Sequence, residues 1–153
     1  MANTQAMCTS FKVDLLNAVH AFNATGVPAH TASTADTFKA ALYITTATVN
    51  AATTAYSSSN EVSGTNYTAG GVTVTFGTAP SSTGTTAFIT PSASIVYTNV
   101  TLSVSFDCVL IYNSTQSNKA VSVHTFTAQT VTAGTFTLTM PTNDATTGLI
   151  RLA

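Results

Sequence analysis

Charge is what this chain has least of. Four basic and five acidic residues make up 6% of its 153 positions, where an ordinary soluble domain carries about 25%. The cations Lys12, Lys39, Lys119 and Arg151 are spread along the sequence. Phosphate neutralisation needs several clustered cations, so nucleic-acid binding is not expected. Long apolar runs are missing too: no stretch approaches the ~18 residues of a membrane-spanning helix, and no membrane partner is expected. The opening Met1-Ala-Asn-Thr-Gln5 has neither a charged nor an apolar leader segment, so the expectation is a chain made and folded in a cytoplasm. There are only two cysteines, Cys8 and Cys108. Cys108 lies in an apolar run, and free buried thiols are expected rather than a disulfide. His-x-His, Cys-x-x-Cys and His-Glu-x-x-His are absent, which removes the usual zinc spacings. A Gly-x-Ser-x-Gly elbow is absent as well.

What is present in excess is threonine, at 33 residues. It alternates with apolar residues, most clearly in Gly71-Val-Thr-Val-Thr-Phe-Gly77 and Gly134-Thr-Phe-Thr-Leu-Thr-Met140. Successive side chains of a strand point to opposite faces, so this alternation predicts strands with one buried and one hydroxyl-bearing face. A near-neutral exterior, with a net charge of −1, disperses a free monomer poorly. The expected working state is therefore an assembled one.

Along the chain, residues 1–10 are polar and aperiodic and read as an N-terminal arm. Phe11, Leu15, Val19 and Phe22 then draw one stripe, which predicts a helix over 10–22, ended by Asn23-Ala-Thr-Gly26 and Val27-Pro28. Residues 29–35 read as a small-residue loop. Asp36–Thr46 reads as a strand, 47–60 as a long excursion, 61–67 as a short irregular strand and Ala69-Gly-Gly71 as a turn. Strands follow at 72–76, 86–90, within 95–104, at 106–112, 119–126, 134–140 and 148–152, with a Ser/Thr/Gly/Pro loop at 78–85. Apolar residues on both faces of 106–112 mark it as the central strand. Eight or nine short strands at regular spacing predict a mainly β chain, a β-sandwich, jelly-roll-like if the strand count holds, with one short N-terminal helix. Residues 11–153 form a single domain in this reading.

The acids are Asp14, Asp36, Glu61, Asp107 and Asp144. Asp36 and Asp144 sit at strand or turn ends, where Asp caps backbone donors. Asp107 interrupts an apolar strand and, if it faces inward, needs a partner such as Lys39 or a backbone donor. His20, His30 and His124 have no ligand spacing around them. No catalytic, cofactor-binding or metal-ligating residue is assigned, and no cofactor is expected. Tyr43, Tyr56, Tyr67, Tyr97 and Tyr112 offer either a contact surface or ordinary strand packing.

Four segments, Ala2-Asn-Thr-Gln-Ala-Met-Cys-Thr-Ser-Phe-Lys12, Asp36-Thr-Phe-Lys-Ala-Ala-Leu-Tyr43, Glu61-Val-Ser-Gly-Thr-Asn-Tyr-Thr-Ala-Gly-Gly71 and Phe136-Thr-Leu-Thr-Met-Pro-Thr-Asn-Asp144, resemble small virion proteins of tailed bacteriophages. The resemblance implies a non-enzymatic structural protein located in the virion. The size fits a capsid decoration or cement protein whose partners are the major capsid protein and copies of itself, as a homo-oligomer. The arm 1–10 is then the first candidate to reach a neighbour's sheet. The alternative is a tail or fibre module that touches the host surface through loops 47–60 and 78–85.

Overall fold

The computed structural model describes residues 2–16, 19–22 and 35–153. The helix stop read at 23–28, residues 29–34 of the loop read at 29–35, and His30 lie outside the described residues. The elements run β1 (Ala6–Met7), α1 (Thr9–Leu16), β2 (Phe38–Ile44), β3 (Val72–Val74), β4 (Ser81–Thr83), β5 (Thr86–Ile89), β6 (Ile95–Asn113), β7 (Lys119–Leu138) and β8 (Ile150–Leu152). Two antiparallel sheets result, one in the order β1-β7-β6-β2-β3 and the other in the order β4-β5-β8. The chain is mainly β, as its threonine alternation predicts, and the two sheets fit a β-sandwich.

The centre of the large sheet is where the sequence places it. Residues 108–113 of β6 are all buried, between β2 on one side and β7 on the other. Ala41 faces Leu110 and Ala40 faces Ile111 across the β2–β6 ladder. β6 and β7 are joined by the polar turn at 114–118 and form one long hairpin. The pieces read separately at 95–104 and 106–112 are a single strand. Irregular registers between Tyr97 and Cys108 interrupt it, and Asn99 has a left-handed φ of 52°. These bulges hide its continuity from a simple period-2 pattern.

The helix is shorter than the 10–22 predicted from its stripe. It ends at Leu16, and residues 19–22 are not helical. Tertiary partners take over: Asp36 N–H donates to Ala21 O at 2.9 Å, and Ala21 N–H donates to Asp36 Oδ2 at 2.9 Å. The stripe still converges, because Phe11 and Phe22 meet edge to face at 5.9 Å. Phe22 stacks on Phe38 of β2 at 4.6 Å, and Phe76 packs across both. Each such ring contributes ~1.5–3 kcal/mol of burial, so this cluster fastens α1 to the sheet. A gap of about 90 Å³ separates Phe11 and Phe22 from Phe88, Ile89 and Ile150 of the small sheet.

Of residues 1–10, read as an arm, the described residues 2–10 are engaged by the chain's own fold. Ala6 and Met7 pair with Val123 and Ser122 of β7, Thr4 N–H donates to Val49 O at 3.0 Å, and Cys8 is fully buried. To reach a neighbour, this segment must first leave β7. Gly71 marks another tight join: its φ is +72°, and a Cβ there would lie 1.6 Å from Ala40 O, so only glycine lets the 69–71 turn enter β3. None of the helices among the described residues is long and apolar enough to cross a membrane.

Candidate interaction surface

Glu61, Asp107 and Asp144 each have their own structural partners, while Asp14 and Asp36 are linked through His20 and Asn113. Asp14 of α1 is buried and receives Lys119 Nζ at 2.8 Å. Asp36, just before β2, accepts Asn113 Nδ2 at 2.7 Å and Gln116 Nε2 at 3.1 Å as well as Ala21 N–H. Asp144 accepts the backbone N–H groups of Thr146 and Thr147 at 2.7 and 2.6 Å. The bond from Thr147, then that from Thr146, holds its carboxyl below the usual carboxylate range. Asp107 is half-buried, and its partner is Asn3, whose Nδ2 donates to Oδ1 at 2.7 Å. Lys39, the partner considered from sequence, makes no ion pair among the described residues. Asp36 and Asp144 therefore cap backbone donors as their positions predict.

Two histidines are described, and both are structural in their geometry. His20 Nδ1 lies 3.0 Å from Asn113 Nδ2. The Asn113 carbonyl already accepts from Thr115 and Gln116. Its amide must therefore donate to Nδ1, which puts the ring proton on Nε2, 3.6 Å from Asp14 Oδ2. Burial lowers the His20 pKa; Asp14 and then Asp36 oppose that shift. His124 on β7 contacts Ser122 Oγ at 2.9 Å, and burial pulls its pKa down to about 4. Cys8 and Cys108 are both free and buried, and burial pushes their thiols up to about 11 and about 12. No group of three or more His, Cys, Asp or Glu side chains gathers in a metal-binding arrangement among the described residues.

The tyrosines pack inward, which corrects the contact-surface reading of them. Tyr43, Tyr97 and Tyr112 are buried and donate to backbone oxygens of Ser57, Ala40 and Gly70 at 2.6, 2.7 and 2.8 Å. β2 and residues 108–113 of β6 are covered on both faces, so Tyr43 and Tyr112 have no outward side to occupy, and Tyr97 takes the covered face between exposed Val96 and Thr98. Tyr56 and Tyr67 both donate to Glu61, at 2.7 Å each, and Gly70 N–H reaches the same carboxylate at 2.8 Å. Glu61 is thus the hub of a tyrosine cluster that residue type alone did not single out. The local Tyr-x4-Glu-x5-Tyr spacing was its only sequence signal. Burial first, then the Glu61 bond, raises the Tyr56 and Tyr67 pKa values. Beside the cluster is a cleft of about 300 Å³ lined by Lys39, Asn66, Tyr67 and Tyr97. Both tyrosine hydroxyls are committed, donating to Glu61 and to Ala40 O. That leaves one ammonium and small polar groups, with no acid–base pair.

What the fold exposes is the outer half of the β6–β7 hairpin. Thr127 to Thr130, Thr132, Ala133, Thr135 and Thr137 of β7 are exposed, as are Ser103 and Val104 of β6. From Ile95 to Phe106 and from Ala120 to Leu138 there is no Asp, Glu, Lys or Arg. The exposed side of the hairpin is therefore a neutral lattice of hydroxyls, methyls and strand backbone, suited to contact with protein. No protein-family model matches the chain, and no curated protein or solved structure matches it either.

Proposed function

We propose that this chain is a non-enzymatic virion structural protein that decorates the head of a tailed bacteriophage. It binds the major capsid protein and copies of itself and stiffens the shell. The observation that carries this reading is the neutral outer hairpin, which offers a long protein-contact surface without an ion. The four segments that resemble phage virion proteins point the same way. The engagement of all five acids by structural partners supports a role without catalysis. Contacts of this kind rest on apolar burial and neutral hydrogen bonds, so salt screening leaves them nearly intact.

The test is to add the purified protein to shells that lack it. Saturable binding is expected, with occupancy unchanged up to about 1 M salt, where the screening length is ~3 Å. Shells that stay bare, or binding that disappears with salt, would contradict the proposal. Binding to tails alone would move the protein to the tail or fibre role.

A further inference from the structure

We propose that the outer edge of β7 pairs antiparallel with the same edge of a second copy, about a two-fold axis at Val131. This sharpens the self-association named above into one strip of the sheet, and it stands without the phage reading.

The edge is open along most of its length. From Lys119 to Val123 the outer side of β7 is covered: Ala55 bridges Lys119, and β1 pairs with Ser122 and Val123. From His124 to Leu138 no described strand lies beside it. An edge strand presents unpaired N–H and C=O groups and templates a further strand. Proteins commonly blunt such edges with lysine, proline or inward charges. This stretch of β7 has none of those residues, and of the edge devices it carries only bulges, with Ala133 at φ 45°.

The sequence of the strip says which strand fits. Thr125-Phe-Thr-Ala-Gln-Thr-Val-Thr-Ala-Gly-Thr-Phe-Thr137 reads nearly the same in both directions from Val131. Antiparallel pairing about that residue sets Phe126 across from Phe136 and Thr130 across from Thr132. Aromatic pairs and threonine pairs are the favourable cross-strand partners. Like charges, which would oppose pairing of identical strands, do not occur. The β6–β7 register shifts run along β7 from Thr125 to Phe136, so they reach the centre at Val131 and lie on both sides of it. Bulges add local twist, and here the added twist meets its counterpart across the axis. Phe126 and Phe136 both rest on Phe106, at 6.0 and 5.0 Å, so the two halves of the strip present the same face to the core. A closed two-fold pair is also the commonest oligomer.

Light scattering on the purified chain should give twice the 15.7 kDa monomer mass. Thr130→Lys with Thr132→Lys puts lysine opposite lysine across the axis and should return the monomer mass, as should Thr130→Glu with Thr132→Glu. Mixing the two double variants should restore the doubled mass, because every lysine then faces a glutamate. Both positions are exposed, and far-UV circular dichroism checks the fold. Hydrogen exchange on the wild type supplies a readout free of substitutions: amides between Thr127 and Thr137 should slow on concentrating the protein. A wild type that stays monomeric, lysine variants that keep the wild-type mass, a mixture that fails to associate, or edge amides that exchange equally fast at every concentration would overturn the proposal.

Discussion

Asn3 and Asp107 are joined side chain to side chain, Nδ2 to Oδ1 at 2.7 Å, across 104 positions of sequence. The same Asn3 amide donates to Ile44 O at 3.2 Å, and its carbonyl accepts Val49 N–H at 3.0 Å. One residue near the chain start thus ties β6, the end of β2 and the 47–60 excursion together. Its β1 covers the 122–123 end of β7, the same edge of the sheet on which the hydroxyl-rich outer hairpin is displayed.

Removal of residues 1–10 should therefore unfold or strongly destabilise the domain, since it takes away β1 and the buried Cys8. Asn3→Ala should cost about 1–3 kcal/mol, the penalty for partly buried polar groups left without partners. Urea denaturation measures both. A deletion variant with the wild-type midpoint would show that the segment is a free arm after all.

Glu61 receives three hydrogen bonds, from Tyr56, Tyr67 and Gly70. Bonds to a charged group are worth ~1.5–3 kcal/mol each, although the three are not additive. Glu61→Ala should lower stability by at least about 2 kcal/mol, and Glu61→Gln by less. The tyrosine pKa values are raised in the folded chain. Their stabilising effect is complete below the unfolded value near 10 and is lost as pH rises beyond it. Absorbance titration should show tyrosinate appearing together with unfolding. Tyrosinate formed by an intact fold near pH 10 would contradict this arrangement.

The histidines set the acid side. Burial lowers the pKa of His20, and lowers that of His124 to about 4, against 6.5 in an exposed chain. The unfolded chain takes up protons first, so stability is fully present above about pH 6.5 and is lost as pH falls through the folded values. The thermal midpoint should drop between pH 6.5 and 4, and His124→Gln should flatten part of that drop. A midpoint that rises over this window would show that the histidines are favoured in their charged form.

Much of the fold was legible because strand physics is local. Val72–Val74, Thr86–Ile89 and the doubly buried 108–113 stretch announce themselves by alternation or continuous apolarity. Other features depend on partners far along the chain. The stripe at Phe11, Leu15, Val19 and Phe22 predicts a continuous helix, but the Ala21–Asp36 and His20–Asn113 contacts pull the last residues out of it. The sequence of β4, Ser81-Ser-Thr83, reads as part of a loop because it carries no apolar period, and the strand is exposed throughout. The Asn3–Asp107 bond had no local signal at all. The surface was the more legible half of the candidate site, since the absence of charge over 120–138 is visible before any folding. The inward tyrosines were not, because residue type alone does not say which face of a strand is covered.

For the proposed virion role, the most direct measurement is the position and copy number of this chain in purified tailed-phage particles, by electron cryo-microscopy. The account predicts density on the head exterior, repeated with the capsid lattice and contacting major capsid subunits through neutral surfaces. Particles with no such density, or with the chain confined to the tail, would contradict it.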